Sequence, residues 1–285
     1  MQTQGFALRQ ILWLVVVLLL PLQACSSTSV LGPSIEPLNS PKYAAIVVDA
    51  DSGKILYQSS AHAPRYPASL TKMMTLYLLF EALDSGSLSP SVLIPVSSHA
   101  ASQPPSKLGL RAGQYLDVQT AILALCVKSA NDVAVAVAEF LGGSEQQFAM
   151  MMTAKARQLG MRSTTFVNAS GLPDPRQVST AHDMALLAIA LQKSFPHRYP
   201  VFSSQSFTYA GKIIKGHNDL LGRVDGVDGI KTGYIRASGY NIATSAIRGG
   251  RRIIVVVMGG ETAKSRDEHV EELLEAYLPR FATLH

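Results

Sequence analysis

The run Ile253-Ile-Val-Val-Val-Met258 constrains this chain more than any other feature. Six consecutive apolar residues, five of them β-branched, read as a buried strand. Just upstream, Tyr240–Ile247 is followed by Arg248-Gly-Gly-Arg251, the signal of a tight hairpin. Far away in sequence, the apolar run Tyr43–Asp49, the turn Asp51-Ser-Gly53 and the segment Lys54–Gln58 form a second hairpin. For both hairpins to bury an apolar face, they must meet in one antiparallel sheet. Helical periodicity fills the space between. Leu70, Met73, Met74, Tyr77 and Leu78 fall at i, i+3, i+4, i+7 and i+8. Further helices are predicted over 118–127, over 132–141 closed by Gly142-Gly143, and over 180–191. A final one carries Val270, Leu273, Leu274, Tyr277, Leu278 and Phe281, with Pro279 fraying its end. The pattern predicts an α/β fold of the α+β type.

Composition narrows the function. The 285 residues are 47% apolar, which excludes a disordered chain, and two cysteines cannot staple a fold of this length. A net charge of +5 is mild, and Arg248, Arg251 and Arg252 cluster only around the hairpin turn. No nucleic-acid partner is expected. Part of the apolar excess is an address. The run from Ile11 to Leu22 is shorter than the ~20 residues of a membrane span. It follows Arg9 and precedes Gln23-Ala24-Cys25, the order of a secretory signal peptide over residues 1–24. Leu22-Gln-Ala-Cys25 resembles a bacterial lipobox, which implies a lipid on Cys25 and export to the periplasm or cell envelope on a membrane tether. Plain cleavage after Ala24 is the alternative. The Ser- and Pro-rich residues 25–41 read as that tether, leaving 42–285 as one domain with no second C-terminal domain. Cys126, inside Ala121–Val127, reads as a small buried hydrophobe.

Several chemistries are absent from the sequence: G-x-S-x-G, H-E-x-x-H, G-x-G-x-x-G and zinc-knuckle spacings. The segment ending in Lys231-Thr-Gly233 lacks the glycine that a phosphate loop needs before its lysine. No metal and no cofactor is expected. What remains are three short motifs: Ser69-Leu-Thr-Lys72, Ser129-Ala-Asn131 and Lys231-Thr-Gly233. Each alone is what an N-cap, a turn or a strand-end charge would show. Together, in this order, they form the set used by serine acyl-transferases of the penicillin-binding type.

The physical chemistry of the set is coherent. A serine hydroxyl needs a base. With Ser69 in the first turn of a helix, Lys72 lies roughly 60° around the same face and reaches its oxygen. Lysine becomes a base when burial and a second cation, here Lys231, lower its pKa. The free N–H of Ser69 at the helix start faces a developing oxyanion. Ser129 is placed to relay a proton to the leaving amine, and Asn131 to offer its amide to a substrate backbone. Lys231 and Thr232 can hold a terminal carboxylate, and Gly233 leaves room for a substrate strand.

The chain resembles the low-molecular-mass penicillin-binding proteins, the serine-type D-alanyl-D-alanine carboxypeptidases. The residues that carry the resemblance are Tyr66-Pro-Ala-Ser-Leu-Thr-Lys-Met-Met74, Ser129-Ala-Asn-Asp132, Phe166-Val-Asn-Ala-Ser-Gly-Leu172, Asp183-Met-Ala185, Val227-Asp-Gly-Ile-Lys-Thr-Gly-Tyr234 and Val257-Met-Gly-Gly260. The resemblance implies a five-stranded antiparallel sheet flanked by helices, with a mainly helical lobe. It implies Ser69 as nucleophile, Lys72 as base, and Ser129, Asn131, Lys231, Thr232 and Gly233 around the substrate, with the Tyr234 N–H as second oxyanion donor. The implied substrate is a peptidoglycan stem peptide ending in D-Ala-D-Ala, and β-lactam antibiotics are the implied inhibitors. Ala130 stands where relatives commonly have glycine. The rival readings are a DD-endopeptidase cutting cross-links, a β-lactamase, and a non-catalytic muropeptide or β-lactam receptor. The second lacks a Glu-x-x-Leu-Asn segment in 160–180, and intact Ser69 and Lys72 oppose the third.

Overall fold

A computed structural model describes residues 35–278. The expected signal peptide, Cys25, Pro279 and Phe281 lie outside these residues. The two expected hairpins are present as β1 (Ala44–Asp49) with β2 (Ile55–Ser59), and β8 (Gly239–Arg248) with β9 (Arg251–Gly260). The turn of the second is Gly249-Gly250, both with positive φ (56° and 78°), which suits the twist of a two-residue hairpin. A fifth strand, β7 (Val227–Ile235), completes an antiparallel sheet of order β2-β1-β9-β8-β7. The hairpins pair through β1 and β9, with Val47 opposite Val255.

The central strand explains its own sequence. On β9, Ile254, Val256 and Met258 join one apolar core, while Ile253, Val255 and Val257 join another on the opposite face. Successive side chains alternate faces, and both faces are covered, so every position must be apolar. The outer core is closed by the last helix, α7 (Ala263–Tyr277), through Val270, Leu273 and Leu274. Ile35 and Leu38, from the stretch read as tether, also pack against it. The inner core holds the remaining helices: α1 (Lys72–Asp84), α2 (Ser98–Ala101), α3 (Val118–Leu123), α4 (Asn131–Gly142), α5 (Glu145–Gln158) and α6 (Ala181–Ser194). Side-chain caps fix their starts: Asp117 accepts from the Thr120 N–H, Ser144 from Gln147 and Thr180 from Asp183. Two small hairpins complete the fold, β3 (Leu93–Pro95) with β4 (Tyr115–Asp117) and β5 (Ser206–Tyr209) with β6 (Lys212–Lys215).

Candidate active site

All three motifs converge where the start of α1 meets the edge strand β7. Ser69 sits on a 3-10 turn, Ala68–Thr71, that leads into α1. Ala68 before it has a φ of 49°, a left-handed conformation that costs a non-glycine residue about 1–2 kcal/mol. Two glycines let this turn be gripped by backbone. A Cβ on Gly233 of β7 would stand 2.9 Å from the Ser69 nitrogen. One on Gly171, whose φ is 89°, would overlap the Ala68 carbonyl at 1.9 Å. No side chain fits at either point.

Lys72 is fully buried. Its Nζ donates to Ser69 Oγ at 3.3 Å, to Asn131 Oδ1 at 2.8 Å and to the Ser170 carbonyl at 2.5 Å. Burial holds its pKa well below the usual lysine value, and the nearby Lys231 lowers it further, while Asp132 opposes both. This is the condition a lysine base requires. Lys231 is pushed down to about 8 by burial, with Cys126 opposing and Arg266 adding to the shift. Its Nζ donates to the Thr232 carbonyl, and it faces a small cavity of about 20 Å³ shared with Cys126 and His217. Cys126 is a free, partly buried thiol that packs against the inner core, and desolvation raises its pKa to about 12.

Ser129 ends a short π-helical turn, Ala124–Lys128, in a left-handed conformation with φ 59° and ψ 40°. Its Oγ is buried without a hydrogen-bond partner. A strained serine with an unpaired buried hydroxyl is costly, and such features gather at functional sites. Asn131 lies at the start of α4, and its amide is engaged on both sides: Oδ1 accepts from Lys72 and Nδ2 donates to the Pro104 carbonyl at 2.9 Å. It therefore holds the base as well as facing the cleft, a role not read from the sequence. Its neighbour Asp132, also buried, anchors the loop before it by accepting from the Leu108, Gly109 and Leu110 N–H groups.

The cleft has a volume of about 530 Å³, and Ser69, Ser129, Asn131, Thr232, Gly233 and Tyr234 line it. The Tyr234 ring is half exposed and stacks on Tyr240 with centroids 4.3 Å apart. Leu172, from the segment 166–172, also lines it, and among the lining residues that escaped the sequence reading are His217 and Arg266. The Arg266 guanidinium is held by Asp267 at 2.6 Å and by the Asn241 carbonyl, so a fixed cation borders the cleft. On an amphipathic helix an arginine looks like a solvated charge, and nothing in the local pattern marks it. The Ser170 carbonyl is equally silent, because a backbone acceptor has no residue-type signal.

Residues 35–262 match the D-alanyl-D-alanine carboxypeptidases of peptidase family S11. The chain belongs to that family. Among its family relatives, the D-alanyl-D-alanine carboxypeptidase DacF of Bacillus subtilis is 35% identical over 248 residues, covering 84% of this chain and 62% of the relative. DacA of Escherichia coli is 36% identical, covering 85% of this chain and 61% of its own length. The chain thus spans about three fifths of the curated relatives it matches. The solved DacD of Francisella tularensis superposes with a TM-score of 0.81 at 31% identity, covering 86% of this chain and 71% of that one. Penicillin-binding protein D2 of Listeria monocytogenes, solved with cefotaxime bound, gives 0.77 at 33% identity and is covered over 98% of its length. The fold is that of penicillin-binding proteins, with the five-stranded antiparallel sheet that the resemblance implied.

Proposed function

We propose that this chain is a serine D-alanyl-D-alanine carboxypeptidase that removes the terminal D-Ala of peptidoglycan stem peptides and is acylated by β-lactams. The observation that carries the reading is the 3.3 Å contact between Ser69 Oγ and a buried Lys72 whose pKa is lowered by desolvation and by Lys231. Neutral Lys72 takes the Ser69 proton as Oγ attacks the penultimate D-Ala carbonyl. The oxyanion forms beside the Ser69 and Tyr234 N–H groups, which need no reorganisation because backbone carries them. The proton then passes from Lys72 through Ser129 to the departing amine. Free D-Ala leaves and an ester on Ser69 remains, which water hydrolyses, with Lys72 again accepting a proton. Thr232 and the fixed Arg266 cation suit the terminal carboxylate, while the open edge of β7 accepts the substrate as an added strand.

A β-lactam keeps its leaving nitrogen tethered to the acyl group, so it blocks the approach of water. The segment 166–175 offers only Asp174 as an acid. Asp174 is tied to Arg176 by two side-chain hydrogen bonds, of 3.0 and 2.7 Å, and by the Arg176 backbone N–H at 2.8 Å, and is held at about 2 by them. It is already paired, which favours a long-lived penicilloyl-enzyme over a β-lactamase. Product analysis on purified muropeptides tests the proposal: release of D-Ala from pentapeptides supports it, and cleavage of cross-linked dimers alone replaces it with the endopeptidase. Export and lipid attachment at Cys25 belong to the same proposal and rest on the order Arg9, apolar run, Leu22-Gln-Ala-Cys25. Detergent partitioning that is lost in Cys25→Ser supports the lipid, and an unmodified Cys25 terminus overturns it.

A further inference from the structure

Lys72 reaches its working position through two acceptors other than Ser69, and neither belongs to α1: Ser170 is in a loop and Asn131 opens α4. Ser170 lies in the segment after α5, and Asn131 is steadied by the Pro104 carbonyl from the loop after α2. One side chain touches the 169–170 segment and helix α2, from which the Pro104 loop departs. Glu145, the first residue of α5, accepts the Ala169 N–H on Oε1 at 3.0 Å and meets His99 Nε2 of α2 with Oε2 at 3.2 Å. Its side chain is 18% exposed, whereas His99 is 57% exposed. The residue that follows Ala169 supplies the carbonyl that binds Lys72. Thr75 of α1 grips the same segment from the other side by donating to the Ala169 carbonyl at 2.7 Å. A charged acceptor on a backbone N–H is stronger than a neutral one, so the carboxylate is the firmer of these two clamps.

We propose that Glu145 is a positioning residue for the base: its carboxylate fixes the 169–170 backbone on one oxygen and, through His99 on the other, the end of α2 that leads into the Pro104 loop steadying Asn131, and so sets both of these acceptors of Lys72. It acts through other groups and touches no substrate. The inference rests on the reading of Lys72 as base. Asp132 and Lys231 face Lys72 as well, and neither is bonded to Glu145.

The test compares Glu145→Ala, Glu145→Gln and Lys72→Arg by stopped-flow acylation with a fluorescent penicillin across pH, with thermal melting on the same samples. Glutamine keeps a carbonyl acceptor for the Ala169 N–H; alanine keeps none. Glu145→Ala is expected to acylate about 10- to 100-fold more slowly, in the range of a displaced catalytic group, while Glu145→Gln stays within about threefold. Hydrogen bonds to an ammonium favour the charged form. Loosened acceptors should therefore move the acid limb of the Glu145→Ala profile to lower pH, a change that loss of folded protein alone does not produce. An acylation rate in Glu145→Ala within twofold of the parent overturns the inference. So does a loss accounted for by melting with the limb unmoved. If Lys72→Arg acylates normally, the reading of the base falls first. If Lys72→Arg is dead and Glu145→Ala is normal, only the role of Glu145 falls.

Discussion

The two faces of the sheet are built to opposite rules. The outer face, under α7, is closed by Val, Ile and Leu from β1, β8, β9 and the helix. Its ladder between β1 and β9 runs in register over six residue pairs. The junction of α1, α4 and β7 on the inner side holds two buried lysines, a left-handed Ala68 and a left-handed Ser129 with an unpaired hydroxyl. Each of these lowers stability. The lesson is a division of labour: the dry face supplies the free energy that lets the other keep charges and strain where chemistry needs them.

Substitutions can break this contrast, and the largest effect comes first. Ser69→Ala should abolish the covalent penicillin adduct in intact-mass spectra, with the melting temperature little changed. An adduct that survives removes Ser69 as nucleophile. Next, Lys72→Arg keeps a charge but cannot accept a proton, and acylation should drop by roughly 10³-fold. The companion Lys72→Met should acylate as poorly yet resist denaturant better, by about 1–4 kcal/mol, because a buried charge gives way to a well-packed apolar chain. A destabilised Lys72→Met would mean that the inner junction is not strained.

The mirror experiment is on the outer face. Ile253→Ala should cost about 2–5 kcal/mol by urea denaturation and leave the acylation rate of folded protein unchanged. A slower site would show that the two faces are coupled.

A smaller effect is pH-dependent. Lys231 titrates at about 8 in the folded chain and near 10.4 when unfolded. Between these values the unfolded chain binds more protons, so the unfolding free energy rises with pH across this window and gains nothing below it. The expected rise is on the order of 3 kcal/mol, with Lys72 adding in the same direction. Denaturation of Lys231→Met at pH 7.5 and 10 should show a shallower rise than the parent. The least effect is expected from Asp174→Asn, which should leave the lifetime of the penicilloyl-enzyme unaltered in a pulse–chase with labelled drug. A longer lifetime would make Asp174 a deacylating group.

What the sequence showed and what it hid divide along the same line. Residues whose side chains do the work were readable: the β9 run, the helix from Leu70 to Leu78, and the three motifs. Helix α5 was missed because Glu145–Gln158 mixes Met, Gln, Lys and Arg without a clear apolar stripe, and only Phe148, Ala149, Met152 and Ala156 are buried. The small hairpins were missed because three- and four-residue strands are below what alternation can show. In the site, the Ser170 carbonyl, the Pro104 carbonyl and the Asp132 anchor depend on loops meeting, and no spacing encodes that.

On the proposed acylation by β-lactams, the backbone-to-backbone contact at Gly171 and Gly233 would also limit where drug escape can arise. A mutation that thins β-lactam binding must leave the Ser69 turn intact, and neither glycine can acquire a side chain without forcing that turn apart. If β-lactams bind as proposed, escape falls to rim positions such as Leu172 and Tyr234, where a changed side chain alters what the cleft admits without moving the Ser69 backbone. On the proposed function, drug and stem peptide would share the same doorway at such positions, so each step away from one would also be a step away from the other.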